Sequence, residues 1–396
     1  MLKTIPIKQL RIGMYVQALG GRWMDHPFWR SSFKLTKPDE FRALLQSGVP
    51  DVIIDTEKGL DIESASAPIP EPVEAVAPQE VIPPKPRVSY AQELDQAKRI
   101  QVKAKGVITD LFNEVRMGKA IEVNVVAPLV DEINQSIERN PGALLSIVRL
   151  KTIDDYTYMH SVAVCALMIS LGQRMGLSGE ELHQVGMGGL LHDVGKMGIP
   201  LDVLNKPGKL TTDEFTVVKN HPQFGWEILR SAQMNDAIAL DVVLHHHEKV
   251  DASGYPEHLS GEHISLHARM GAVCDVYDAI TSDRPYKQGW DPAEAIKRMA
   301  EWCNGHFEET VFQAFVKTIG IYPSGSLVRL KSGRLAVITD QTEKSLLTPM
   351  VKVFFSTKSN SPIKMEVIDL SRSQDTIVGL EDGTAWGFDL KKVMGV

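Results

Sequence analysis

The histidines of this chain are confined to one part of the sequence. All of the 12 histidines except His26 lie between residues 160 and 306. Around them, hydrophobic residues recur at every third and fourth position, which is the period of helices that bury one face. Imidazoles spread over several apolar helices constrain the fold strongly, because they must be satisfied within a core of facing helices. The sequence therefore predicts a mainly α-helical bundle here.

Residues of metal-ligand type recur along these helices at intervals of 25 to 32 residues. Such intervals suit one contribution from each helix of an antiparallel bundle. Imidazoles and carboxylates together bind borderline divalent cations, and a carboxylate can bridge two of them. A lone histidine is more often a core residue, but burying this whole set without a cation would be costly. We therefore expect a metal centre formed by His160, His192, Asp193, His221, His246, His247 and Asp275.

His192 and Asp193 are neighbours, and consecutive residues of a helix point about 100° apart. They can share one site only near a helix end. Gly195, two residues further on, is expected to provide that end.

Composition excludes several classes of protein. The chain carries 43 Lys and Arg against 50 Asp and Glu, a formal net charge of -7, which argues against binding to polymeric nucleic acid or an anionic membrane. It contains no apolar run of the roughly 18 residues that span a bilayer. Its 3 cysteines form no CxxC pair, so neither disulfides nor a cysteine-based zinc site are expected, and Cys274 is interpreted as an inert core thiol. We expect a cytoplasmic protein.

The periodicity of hydrophobic residues changes along the chain and predicts five segments. The first is a small α+β domain, in which the strands KTIPI, MYVQAL and DVIID accompany one helix, PDEFRALLQSG. The last is a small β-rich domain, whose predicted strands include TAWGFDL. The predicted boundaries are 1–62 for the α+β domain, 63–89 for a Pro/Glu-rich linker, 90–140 for amphipathic helices, 141–321 for the helical domain with the expected metal centre and 322–396 for the β-rich domain.

Five short motifs in the helical part resemble, in order and spacing, those of the HD-GYP family. They are HDVGK (192–196), HHE (246–248), DASGYP (251–256), DVYDAI (275–280) and RPYK (284–287). The family comprises bacterial cyclic di-GMP phosphodiesterases within the HD superfamily of metal-dependent phosphohydrolases, and the likeness covers roughly residues 150–320. The stretches IPIKQLRIGMYV and MDHPFWRSSFKL resemble a domain of unknown function that often precedes HD-GYP modules.

The resemblance implies roles for individual residues. The seven metal ligands are the same as those named above. Asp193 and Lys196 receive catalytic roles, with the Lys196 ammonium on a substrate phosphate. Asp278 is expected either beside the metal ligands or on the substrate side, and the ring of Tyr255 could stack on guanine. The implied substrate-binding residues are Lys196, Tyr255, Asp278, Arg284 and Lys287.

Two positions depart from the family pattern. Some members carry a glutamate, which helps to bind a third metal, where this chain has Tyr156; Asp155 is one residue out of register. The resemblance therefore implies two divalent cations, of iron, manganese, nickel or zinc, and not three. Ala252 stands where the family has glycine. If that position has a positive φ, alanine costs roughly 1 kcal/mol there.

Together these features predict a phosphodiesterase that hydrolyses cyclic di-GMP to linear pGpG with water activated by two metals. Further cleavage to GMP stays open. The alternatives are an HD phosphohydrolase of another nucleotide, or a catalytically weak cyclic di-GMP receptor that docks GGDEF diguanylate cyclases through its GYP loop. The helix that starts near Tyr90 either forms a homodimer or packs on the bundle.

Overall fold

The chain divides into two compact units, Met1–Lys85 and Pro86–Val396. The computed structural model describes residues 2–19, 33–36, 41, 44–45, 51–61, 88–119, 121–122, 125–149, 156–283, 288–303, 305–342 and 345–395. Among these residues, no helix combines the length and the hydrophobicity that crossing a bilayer requires.

The first unit contains an antiparallel sheet. Its strands are β1 (Leu2–Pro6), β2 (Tyr15–Leu19), β3 (Phe33–Lys34) and β4 (Asp51–Asp55), in the spatial order β1-β4-β2-β3. Alternate residues of these strands face a small core that includes the buried side chains of Ile5, Val16 and Ile54. The three predicted strands are confirmed, whereas most of the predicted helix PDEFRALLQSG lies outside the described residues.

Helices form most of the second unit, which confirms the predicted mainly α-helical bundle. Their bounds are α1 Tyr90–Arg116, α2 Ala127–Arg139, α3 Pro141–Arg149, α4 Tyr156–Arg174, α5 Gly179–Leu191, α6 Leu201–Leu204, α7 Thr212–Val218, α8 His221–Ser231, α9 Ala237–His245, α10 Leu266–Thr281, α11 Pro292–Glu301 and α12 Glu309–Ile319.

Helix α1 is the longest of these helices, and hydrogen bonds fix its start and attach it to α2. Ser89 accepts a hydrogen bond from the Gln92 backbone in a capping box, which satisfies amides that the first turn leaves free. An ion pair with a buried carboxylate links α1 to α2, because the Arg139 guanidinium donates to both oxygens of Glu93 at 2.7 and 2.8 Å. Ser136 donates a further hydrogen bond to Glu93 at 2.9 Å.

Helix α4 lies at the centre of the bundle. It contacts α1, α2, α3, α5, α10 and α12. From Met159 to Leu171 its residues are buried on every side, as expected for a helix surrounded by others. This position places His160 deep inside the protein, opposite α10 and the end of α5.

The second unit ends in a five-stranded antiparallel sheet that packs against the helices. Its strands are β5 (Leu327–Leu330), β6 (Arg334–Asp340), β7 (Met350–Ser356), β8 (Ser361–Asp369) and β9 (Ile377–Leu380), in the order β8-β7-β6-β5-β9. The Asn140 amide donates to Asp340 at 2.9 Å, and the Arg149 guanidinium donates to the Ser324 carbonyl at 2.6 Å. The predicted domain boundary between residues 321 and 322 stays a prediction.

The predicted strand TAWGFDL is wrong. Two short helices, α13 (Gly383–Trp386) and α14 (Leu390–Met394), occupy this region, and the strand that pairs with β5 is β9, which sequence reasoning missed. Gly387 between the two helices has a φ of 67°, which breaks an extended course. The alternating aromatic residues pack on one side, since the rings of Trp386 and Phe388 both contact Phe355.

Candidate metal centre

The ends of three helices and two helices that run through the bundle meet at one point. His160 lies on α4, His192 and Asp193 follow α5, His221 opens α8, His246 and His247 follow α9, and Asp275 lies on α10. The structure brings all seven predicted ligands together in the interior of the second unit. The side chains fall into three overlapping groups whose ligand atoms lie within 4.8 Å of one another: His160, His192 and Asp275; His192, Asp193 and His246; and His221, His246 and His247.

Asp193 stands between the two outer groups. Its Oδ2 lies 3.3 Å from His192 Nε2 and 3.6 Å from His160 Nε2, on one side. Its Oδ1 lies 3.3 Å from His221 Nε2 and 4.0 Å from His246 Nε2, on the other. One carboxylate thus presents each oxygen to a different set of imidazoles, which is the arrangement that bridging between two cations requires.

The outer nitrogen of each of four histidines is occupied, which leaves the inner nitrogen for a ligand. Nδ1 of His192, His221 and His246 donates to backbone carbonyls of the preceding turn at 2.8, 2.8 and 3.0 Å. Nδ1 of His160 lies 2.6 Å from the Asp278 carboxylate. Such bonds fix the tautomer and orient the ring, so that the lone pair of Nε2 points into the centre.

Electrostatics favour neutral imidazoles at His221, His246 and His247. At His160, burial is outweighed by hydrogen bonds to Asp275 and Asp278, which raise its pKa. Burial lowers the pKa of His221 to about 3 and that of His247 to about 4. Burial by itself would raise the pKa of Asp193, but His192 and Lys196 hold it well below its usual value. Neutral nitrogens and anionic oxygens in one buried pocket are the donor set of a divalent cation.

Two buried atoms test whether a cation fits. His192 Nε2 and Asp193 Oδ1 have no hydrogen-bond partner among the described residues, although both are shielded from solvent. Leaving such atoms unsatisfied is costly, and a bound metal would satisfy both. The residues present therefore fit a metal centre.

The helix end predicted at the HD pair is present, but Gly195 does not produce it. Helix α5 ends at Leu191, and a 3-10 turn follows over Val194–Gly198. A Cβ on Gly195 would lie 1.9 Å from the His221 carbonyl oxygen and 2.4 Å from the Gly225 nitrogen. The glycine is needed because the backbone of α8 passes directly against it, and α8 carries His221.

Among the predicted substrate-binding residues, Lys196 and Tyr255 lie beside the metal centre. The Lys196 ammonium is 2.5 Å from Asp193 Oδ2, and its side chain is 26% exposed. The Tyr255 ring centroid lies 4.7 Å from that of His247. Asp278 is 2% exposed and hydrogen-bonded to His160, so its position fits the first of its two predicted roles, beside the ligands. Arg284 and Lys287 lie outside the described residues.

Three further positions can be compared with expectation. Ala252 has a φ of 64°, which confirms the left-handed conformation considered for it. Cys274 is fully buried, and burial raises the pKa of its thiol well above the usual value, as expected of an inert core residue. Asp155, the off-register residue at the third-metal position, lies outside the described residues, and the Tyr156 side chain is not described.

Sequence reasoning missed Glu248, the last residue of the HHE motif. Its carboxylate is 1% exposed and accepts hydrogen bonds from the backbone of Glu257 and Leu259. The available signal was an acidic residue placed between two ligand-type histidines and a loop rich in Gly and Pro.

Comparisons with known proteins agree with these observations. An HD domain model matches residues 134–311, and a domain of unknown function (DUF3391) matches residues 2–126. The cyclic di-GMP phosphodiesterase PA4108 of Pseudomonas aeruginosa is 53% identical over 98% of this chain and 94% of its own length. The cyclic di-GMP phosphodiesterase response regulator RpfG of Xanthomonas campestris is 50% identical over 32% of this chain and 34% of its own length.

A solved HDG"Y"P protein, Bd1817 from Bdellovibrio bacteriovorus, covers 80% of this chain and 99% of its own, with 16% identity and a TM-score of 0.47. The helical bundle, the HD, HHE and GYP motifs around one buried centre, and the near full-length identity to a curated relative together identify the family. This chain belongs to the HD-GYP family.

Proposed function

We propose that this protein hydrolyses cyclic di-GMP to linear pGpG at the metal centre. The observation that carries the proposal is the position of Asp193, with one oxygen facing His160 and His192 and the other facing His221 and His246. This is the donor arrangement of a two-metal phosphodiesterase. Its full-length relative of 53% identity is a cyclic di-GMP phosphodiesterase, which supports the choice of substrate.

Two divalent cations would be held by these side chains. His160, His192 and Asp275 form one group and His221, His246 and His247 the other, with Asp193 shared. Mixed nitrogen and oxygen donors suit iron, manganese, nickel or zinc. When bound, the metals supply a water of lowered pKa and polarise the scissile phosphate.

Lys196 provides the mobile positive charge of the site. Its ammonium is paired with Asp193 at 2.5 Å but retains access to solvent. An entering phosphate diester competes for this ammonium, and a flexible lysine can follow the negative charge that grows on the phosphate oxygens. We assign Lys196 to stabilisation of that charge.

Residues beside the metal centre are proposed to orient the substrate. Tyr255 stands against His247, and burial together with Asp275 and Asp193 raises the pKa of its phenol, so it stays a hydrogen-bond donor at all physiological pH values. We propose that it contacts the substrate, along with Arg284 and Lys287. Tyr156 in place of the third-metal glutamate supports release of pGpG before a second cleavage.

We propose one partner interaction besides the substrate. The GYP loop presents a surface for GGDEF diguanylate cyclases. The outward face of α1 carries mostly polar residues around Val102, which is 73% exposed, and this favours packing of α1 within the chain over a homodimer. Light scattering of the purified protein distinguishes monomer from dimer.

Product analysis tests the proposed function. The protein is loaded with manganese or iron and given cyclic di-GMP, other cyclic dinucleotides and mononucleotides, and products are separated by chromatography. We expect pGpG to accumulate, and we expect His192→Ala with Asp193→Ala to abolish both turnover and metal binding, whereas His263→Ala, at an exposed histidine, leaves both unchanged. Binding of cyclic di-GMP without cleavage would establish a receptor, and turnover of mononucleotides alone would establish another phosphohydrolase.

A further inference from the structure

Glu248 follows the two histidines of the HHE motif, yet its carboxylate engages a loop. The Glu257 backbone donates to Oε1 at 2.7 Å, and the Leu259 backbone donates to Oε2 at 3.1 Å. Among the described residues, none of the groups able to hold a metal includes Glu248. Both oxygens of this buried carboxylate are therefore used to hold residues nine and eleven positions further along the chain.

The segment that Glu248 holds, residues 251–259 and here named the GYP loop, packs directly on the chain that carries the ligands. The Tyr255 backbone donates to the His247 carbonyl at 3.2 Å. A Cβ on Gly254 would lie 2.4 Å from the Lys249 nitrogen and 2.5 Å from the Glu248 Cα, so the two backbones touch. The carboxylate clamps the loop just after Tyr255, and so it fixes where the ring stands.

The same part of the loop lies against His245 on a second side. His245 Nε2 lies 3.4 Å from a carboxylate oxygen of Glu257. The other ring nitrogen of His245 lies 2.7 Å from Asp241 on α9, and Asp241 accepts a hydrogen bond from Ser265 at the start of α10. Glu257 of the GYP loop thus lies beside the last residue of α9, directly before the proposed ligands His246 and His247, and Asp241 links α9 to the residue that precedes α10.

We infer that Glu248 is a positioning residue that keeps the GYP loop, and with it Tyr255, in the conformation that binds substrate; this inference rests on the function proposed above. Hydrogen bonds from backbone amides to a carboxylate are charge-assisted and strong. When they are removed, the loop is in place for a smaller fraction of the time, and apparent substrate affinity falls by that fraction. The metal ligands lie outside the loop, so the chemical step of bound substrate is largely retained.

The isosteric substitution Glu248→Gln changes the hydrogen bonds of the side chain without changing its volume, so it distinguishes positioning of the loop from simple packing. Glutamine keeps one acceptor oxygen but turns its NH2 group toward a backbone N–H. We expect KM for cyclic di-GMP to rise about tenfold, kcat to change less than about threefold, and Glu248→Ala to raise KM further. Metal content per chain stays that of the wild type. Glu262→Gln, at an exposed glutamate just after the loop, is the matched control and leaves KM unchanged.

Hydrogen exchange measures the clamp without any substrate. In Glu248→Gln the amides of Glu257 and Leu259 should exchange at least about tenfold faster than in the wild type. The exchange rates remain informative if the wild-type protein fails to cleave cyclic di-GMP. The experiment therefore distinguishes failure of the proposed function from failure of the inferred role of Glu248. Wild-type exchange and KM in Glu248→Gln would overturn the inference, and so would loss of metal together with a collapse of kcat.

Discussion

Replacing Gly195 by alanine tests whether backbone contact between two segments builds the metal centre. The new Cβ would lie 1.9 Å from the His221 carbonyl oxygen, 2.4 Å from the Gly225 nitrogen and 2.9 Å from the Gly225 Cα. All three atoms belong to the backbone of α8. No side-chain rotation can relieve these contacts, so α8 itself has to move.

The required movement follows from the distances. Ordinary Cβ contacts begin at 3.4 Å, so the first turn of α8 has to retreat by about 1.5 Å. His221 Nε2 now lies 3.3 Å from both Asp193 Oδ1 and His246 Nε2. Metal–ligand distances tolerate about 0.2 Å, so the retreat takes His221 out of the donor set. Overpacking of this kind costs about 1–3 kcal/mol of stability.

The assay combines metal titration with thermal unfolding. We expect Gly195→Ala to lose one of two metal equivalents, or to bind it at least about 100-fold more weakly, while the midpoint of unfolding falls by several degrees. Gly106→Ala is the matched control, because a Cβ at Gly106 in the exposed middle of α1 meets no atom within 4 Å. That variant should gain up to about 1 kcal/mol and keep its metals.

Unchanged metal stoichiometry and affinity in Gly195→Ala would refute the reasoning. It would mean that α8 can retreat without moving His221 relative to Asp193. Loss of both metals together with general unfolding, which circular dichroism would detect, would instead show that the contact supports the whole fold.

Four further substitutions have expected outcomes. Asp278→Asn should weaken metal binding about 10- to 100-fold in a chelator competition, because the His160 ring loses the carboxylate that orients it. Arg139→Met should cost about 1–3 kcal/mol in urea unfolding, since it leaves the buried Glu93 carboxylate with only the hydrogen bond from Ser136, whereas changing both Arg139 and Glu93 to apolar residues should cost less. Burial, with a smaller contribution from Arg174, lowers the pKa of Lys317 from 10.5 to about 8. Between pH 8 and pH 10.5 the unfolded chain therefore binds more protons than the folded protein, and the free energy of unfolding should rise with pH by up to about 3 kcal/mol across that window. Lys317→Met should remove this dependence of stability on pH. Ala252→Gly should stabilise the protein by up to about 1 kcal/mol in thermal unfolding, because it relieves the positive φ, and an equal or lower midpoint would contradict this.

Most residues of the candidate site could be predicted from the sequence because their side chains are typical metal ligands. A buried set of imidazoles and carboxylates is so costly without a cation that its presence on apolar helices already indicated a shared site. Most of the helices were predictable because each buries one face, which leaves a clear period of hydrophobic residues; α4 is buried all round and leaves a continuous apolar run instead. The ligand-type residues from His160 to Asp275 therefore needed no structure to be grouped.

Main-chain contacts between segments that are far apart in the sequence leave no recognisable pattern of residues. Gly195 and His221 touch through main-chain atoms across 26 positions of sequence, and a glycine that permits close approach looks like a glycine that ends a helix. Glu248 reads as one more acidic residue beside the ligands, since nothing local shows that its oxygens face the amides of Glu257 and Leu259. The strand wrongly assigned to TAWGFDL failed for a related reason: Trp386 and Phe388 repeat with the period of a strand, although Trp386 ends a short helix and Phe388 lies in the short connection that follows it.

The HDVGK motif can now be understood as four constraints in five residues. His192 ends α5 with helical backbone angles, and Asp193 leaves the helix at φ -99° and ψ 6°, in the bridge region of the Ramachandran plot. This break lets two consecutive side chains face one centre, which a continuing helix would forbid. Gly195 then admits the backbone of α8, and the tight turn returns Lys196 to within 2.5 Å of Asp193. A single inserted residue anywhere in the motif would separate these functions, and that interdependence explains why a short motif predicts a whole site.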